Sequence, residues 1–158
     1  MGNVNLLVYT CNENKNGGIG MLRVVICCGA GMSSSFLAQR LQNEVIARGM
    51  QDEVSFDFFC FEMAINTAEE VLKNYDVAMC CPHLNLDIQR FFKKYDTDCA
   101  MYVFPPKMYG TLPFDEVLQD ARDVYEEYQK TKMKPFHFPG EDHPLRIKRG
   151  VAYRNWKK

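Results

Sequence analysis

A chain of 158 residues, 47% hydrophobic and 25% charged, is long enough for one domain whose core needs no disulfide or metal staple, and its composition excludes a disordered chain. The net charge of −1 at pH 7 gives nucleic acid or an anionic membrane no general attraction, so any partner must be chosen by a local site. No apolar run reaches the ~20 residues of a membrane-spanning helix, and the opening MGNVNLLVYTCNENKNGG lacks the basic region and apolar stretch of a signal peptide, so the expected address is cytoplasmic. The 7 cysteines are odd in number and are expected as thiols. Cys27, Cys60, Cys80 and Cys99 lie in apolar runs and are expected as small core hydrophobes.

The predicted elements alternate along the chain. Leu22 to Cys28 (LRVVICC) reads as a buried strand, short, β-branched and ended by glycine. Ser35 to Arg48 carries Phe36, Leu37, Leu41, Val45 and Ile46 at the spacing of one helix face, with Gly49 as its stop. Val54 to Phe61 predicts a second strand, and Glu62 to Asn74 a helix. Asp76 to Cys81 predicts a third strand closed by Pro82, and Leu84 to Tyr95 a third helix with basic residues in its last turn. Asp98 to Phe104 predicts a fourth strand, and Pro113 to Lys130 a last helix opened by proline. Such alternation implies parallel strands joined by right-handed crossovers, an open α/β sheet with helices on both faces. Ligands of these sheets bind beyond the carboxyl ends of the strands, where Cys28 stands.

The residues after that strand suit an anion. Gly29, Ala30 and Gly31 let a backbone approach closely, and Ser33, Ser34 and Ser35 add hydroxyls and are expected to cap the helix. A helix N-terminus offers unpaired amides and a partial positive charge, which bind a phosphoryl group and lower the pKa of a thiol aimed at them. Cys28 is thereby a candidate phosphoryl acceptor. The same pattern fits a glycine-serine turn whose cysteine is the last core residue of its strand. The P-loop fails for want of lysine, and GxGxxG fails because Ser34 stands at its last glycine. A Cys-x5-Arg phosphatase loop fails because Ser34, or Ser33 counted from Cys27, occupies the arginine position. Without that clamp hydrolysis is poorly served, whereas transfer between two proteins can draw its positioning from donor and acceptor.

Cys28-Gly29-Ala30-Gly31-Met32-Ser33-Ser34-Ser35 resembles the phosphocysteine loop of the enzyme IIB component of the sugar phosphotransferase system, in its lactose/cellobiose family. The resemblance runs from about Leu22 to Gln129 and includes the Cys81-Pro82-His83 turn and Tyr109-Gly110. Many relatives have Gly-Pro-Gln where this chain has Cys81-Pro82-His83. The resemblance implies a four-stranded parallel sheet of order 2-1-3-4 with a phosphatase-like phosphate loop after the first strand. It implies a protein-phosphocysteine sugar phosphotransferase without cofactor. Cys28 takes a phosphoryl group from the phosphohistidine of enzyme IIA and passes it to a sugar of the cellobiose, lactose or chitobiose kind entering through the membrane permease, enzyme IIC. Gly29, Ala30, Gly31, Met32, Ser33, Ser34 and Ser35 hold the group, and enzyme IIC keeps the chain at the inner face of the membrane. The alternatives are a cysteine-dependent phosphatase, a redox enzyme forming a disulfide between Cys28 and Cys27 or Cys81, and a non-catalytic IIB-like regulatory module.

His83 and Tyr109 are candidates for the rim of the site, His83 also fitting a plain surface or capping role. A metal among Cys27, Cys28, Cys80, Cys81 and His83 is not expected, because adjacent strand residues point to opposite faces and Cys-x2-Cys spacing is absent. Domain organisation reads as a leader over residues 1–20 with Met21 as natural start, an enzyme IIB-like domain over 21–132, and a basic, proline-containing tail over 133–158. A solvated arm is the expected form of that tail, with docking on a partner or wrapping round the domain as the alternatives.

Overall fold

Runs of β-branched and apolar residues form β1 (Leu22–Cys28), β2 (Val54–Cys60), β3 (Val77–Cys80) and β4 (Ala100–Val103) in the structure, a computed structural model describing residues 21–29 and 32–156. The expected leader, residues 1–20, and Ala30 and Gly31 of the loop lie outside the described residues. The sheet is parallel throughout and ordered β2-β1-β3-β4, as expected. Helices α1 (Met32–Ala47), α2 (Ala68–Leu72), α3 (Asn85–Lys94), α4 (Pro106–Thr111), α5 (Phe114–Thr131) and α6 (Tyr153–Trp156) accompany it.

Alternation along the inner strand divides the interior. Val24 and Ile26 face a cluster with Leu41 and Val45 of α1 and Val117, Ala121 and Val124 of α5. Val25 and Cys27 face a second cluster with Leu72, Ile88 and Phe91. Edge strand β2 has one amide satisfied from a helix, Phe56 N–H donating to Gln42 Oε1 at 2.8 Å.

Two helical stretches differ from expectation. The helix expected over Glu62 to Asn74 is a 3-10 turn, Glu62–Thr67, followed by the single turn of α2. Asn66 and Thr67 stand at the junction; their side chains compete for backbone bonds and disfavour a helix interior. Helix α4 forms between the fourth strand and the last helix, where no element is expected, opened by Pro106 and ended by Leu112 in the left-handed region at φ 41°, with Pro113 barring continuation.

The tail over residues 133–156 is wrapped over the domain rather than solvated. Phe136 N–H donates to Met101 O at 2.8 Å, and Phe136 bridges Tyr102 of β4. Phe136 and Phe138 are buried, and Phe138 stacks on Tyr153 with ring centroids 4.4 Å apart. Arg149, 0% exposed, locks the arrangement. Its Nε and Nη2 bond the two Glu141 carboxylate oxygens at 2.7 and 2.8 Å, and Nη1 bonds Asp120 Oδ2 and Val151 O, both at 2.8 Å. Nη2 also donates to the Tyr102 hydroxyl at 2.6 Å. Composition suggested an arm because its charges outnumber its anchors; pairing of the arginine lets a few aromatic residues bury it.

Candidate functional site

Cysteines end three adjacent strands at the carboxyl edge of the sheet. Cys28 is in register with Cys60 of β2, and Cys27 with Cys80 of β3. The ladders run past the strands: Phe61 N–H donates to Cys28 O at 2.8 Å, Cys81 N–H to Cys27 O at 2.9 Å, and Phe104 N–H to Cys80 O at 2.9 Å. Cys28 therefore stands between Cys81 on one side and Cys60 on the other. Cys28 is 1% exposed and packs in the same cluster as Cys27, Cys80 and Cys81. Cys28 thus packs in one cluster with its chain neighbour Cys27, at the end of the strand whose alternation was expected to separate them. Cys60 is half-buried instead of being a full core residue.

The loop leads directly into α1. That helix begins at Met32, earlier than the expected Ser35, so Ser33, Ser34 and Ser35 stand inside its first turn and not at the capping position before it. The amides of Met32, Ser33 and Ser34 are consequently left without an acceptor inside the helix. No acidic residue stands in that first turn to compete for them. The side chains of Met32, Ser33 and Ser34 lie outside the described residues, and Ser35 is half-buried. Gly29 is buried, and its N–H donates to Cys81 Sγ.

Burial sets the acidity of the flanking thiols. It pushes Cys81 up to about 12, reinforced by a negative charge on Cys28 and opposed by the Gly29 N–H. Cys60 is raised by burial first and then by Cys28 and Cys27. Cys80 lies well above the ordinary range through its hydrogen bond to Cys27 and its burial. The flanking thiols are thus protonated at neutral pH. An anion on one sulfur of the row further disfavours ionisation of the others.

His83 is exposed in the turn after β3, and its Nε2 lies 3.2 Å from Cys81 Sγ. Tyr109 on α4 is half-buried, packs on both core clusters and sets its ring 5.9 Å from Phe104, at the same edge of the sheet. Among the described residues no group of three His, Cys, Asp or Glu side chains is placed to hold a metal. The sequence pairs Cys28 with Cys81 but does not bring out Cys60 as its neighbour on the other side. Aligning the ends of β1 and β2 would have found it, since each closes on cysteine.

The family model described as PTS system, Lactose/Cellobiose specific IIB subunit matches residues 23–120, from β1 into α5. A comparison with curated proteins found no match.

Proposed function

The chain belongs to the lactose/cellobiose-specific IIB family of the sugar phosphotransferase system, whose IIB subunits are phosphoryl carriers, and we propose that its carrier atom is the Cys28 sulfur. The observation that carries this reading is position: Cys28 ends the inner strand β1 at the carboxyl edge, directly before the loop into the unpaired amides of α1. In the proposed cycle the Cys28 thiolate attacks the phosphohistidine of enzyme IIA in line, an S–P bond forming as the N–P bond breaks. A sugar hydroxyl presented by enzyme IIC then attacks phosphorus; the S–P bond breaks, an O–P bond forms and the hydroxyl proton is lost.

The amides of Gly29, Ala30, Gly31, Met32, Ser33, Ser34 and Ser35, with the hydroxyls of Ser33 and Ser35, hold the transferred group in this reading. Gly29 must exchange Cys81 Sγ for a phosphoryl oxygen when it does so. A cup of amides without arginine suits a carrier, because tight binding of the dianion would trap the intermediate. The partner approaches over the same edge, where Phe36 near the start of α1 and Leu86 near the start of α3 are 71% and 61% exposed. His83 and Tyr109 form the rim, and the sugar is of the cellobiose, lactose or chitobiose kind. No helix among the described residues is long and apolar enough to cross a membrane, so enzyme IIC supplies the contact with the bilayer.

The test is transfer of labelled phosphoryl from phosphorylated enzyme IIA, followed by peptide mass mapping. Label is expected on the peptide containing Cys28 and is absent in Cys28→Ser. Label that persists in Cys28→Ser overturns the assignment.

A further inference from the structure

We propose that Cys81 is a resolving thiol: a hydroperoxide oxidises Cys28, and Cys81 closes a Cys28–Cys81 disulfide that holds the carrier sulfur out of use until a dithiol reduces it. The proposal rests on the reading of Cys28 as the reactive sulfur. Its own basis is the placement of the two residues.

Cys28 and Cys81 follow the in-register pair Cys27 and Cys80 on neighbouring parallel strands, joined by the 2.9 Å bond from Cys81 N–H to Cys27 O. Neighbouring strands lie about 4.8 Å apart, within the ~4.4–6.8 Å Cα separation that a disulfide needs. Both side chains pack in one core cluster, and residues opposite one another on neighbouring parallel strands project to the same side. The Cys81 thiol also takes a hydrogen bond from the backbone of Gly29, the residue that follows Cys28. His83 Nε2, 3.2 Å from Cys81 Sγ, is within reach of the thiol proton. Cys60 also borders Cys28, but it is half-buried on the edge strand and lies outside the cluster. Cys27 and Cys80 touch each other yet are fully buried, and no base stands on either.

The chemistry balances. The Cys28 thiolate attacks the peroxide; its S–O bond forms, the O–O bond breaks, and the departing hydroxide takes a proton and leaves as water. The Cys28 sulfenic acid is then attacked by Cys81 sulfur as His83 Nε2 takes the Cys81 proton. The S–S bond forms, the S–O bond breaks, and hydroxide recovers that proton and leaves as a second water. Each sulfur has given up one electron and the peroxide oxygens have gained two. The burial that keeps the Cys81 thiol protonated is consistent with its waiting for this base.

The experiment treats the whole chain with hydrogen peroxide and maps unreduced peptides by mass. The expected product is a Cys28–Cys81 linked peptide lighter by two hydrogens, with phosphoryl acceptance lost in step with its yield and regained with dithiothreitol. Cys81→Ser keeps an oxygen for the Gly29 N–H, so it accepts phosphoryl as wild type does; after peroxide its Cys28 proceeds to the sulfinic acid and dithiothreitol no longer restores it. A link through Cys60, a Cys27–Cys80 link alone, no link at all, or full recovery of Cys81→Ser each overturns the proposal. The mass map does not depend on transfer. A linked peptide in a protein that never takes label at Cys28 sinks the carrier reading and leaves the disulfide standing.

Discussion

Replacing Arg149 by methionine removes a guanidinium whose five N–H groups are all engaged, in bonds of 2.6 to 2.8 Å to Glu141, Asp120, Val151 and Tyr102. Methionine fills much of the space but leaves two carboxylates, Asp120 at 0% and Glu141 at 7% exposure, without their cation. Breaking a buried pair in this way costs about 3–5 kcal/mol, and for a chain of this size each kcal/mol lowers Tm by ~2–4 °C, so the expected shift is roughly 6–20 °C. Urea unfolding followed by circular dichroism should show a lower midpoint at unchanged slope. Burial already pushes Asp120 up, with Arg149 and the Tyr153 N–H holding it back. Without Arg149 its folded pKa rises further, so the folded variant gains a proton as pH falls. The deficit against wild type therefore shrinks from neutral pH toward acid. A loss under about 1 kcal/mol, or a deficit that grows on acidification, refutes the view that this arginine fastens the tail to β4 and α5.

Truncation after Lys132 should cost cooperative unfolding and raise binding of a hydrophobic dye, because it uncovers the surface of β4 and α5 that Phe136 and Phe138 cover. Stability should fall between pH 9 and about 12. The unfolded chain ionises Cys81 near its ordinary 9.0, while burial in the fold keeps that thiol protonated up to about 12; Tyr128 adds a smaller step from 10.0 to about 12. Cys81→Ser should flatten that fall, as read by denaturation midpoints across the range. Phe36→Asp should raise the KM for phosphorylated enzyme IIA at unchanged Tm, since the ring is 71% exposed and supports nothing inside the domain.

Most of the sheet was legible because its strands are short apolar runs of β-branched residues closed by Gly29, Pro82 and Pro105, and parallel order follows once helices separate them. The position of Cys28 followed from the same alternation. Two things were not legible. The turn over Glu62–Thr67 has helical spacing, and its outcome depends on Asn66 and Thr67. The buried tail depends on Arg149 meeting Asp120 and Tyr102, residues 29 and 47 positions away, a pairing no local pattern encodes. The nearness of Cys81 to Cys28 was legible once the order 2-1-3-4 was expected, because the two cysteines close neighbouring strands.

That nearness brings a requirement on motion. A sulfur 1% exposed among apolar side chains and protonated thiols cannot meet a phosphohistidine in place, so transfer demands that the Cys28 side chain leave its packed position while the β1 backbone stays paired. Alkylation measured residue by residue separates such local opening from unfolding. Cys60, half-buried at the edge strand, should react first. Cys28 should follow at a rate insensitive to low urea, because only a side chain and its loop must move. Cys27 and Cys80, both 0% exposed beneath them, should react only at the rate of global unfolding and speed up steeply with urea. If Cys28 instead keeps pace with Cys80 at every urea concentration, its emergence requires the whole sheet to open, and a carrier turning over through that sulfur is physically untenable.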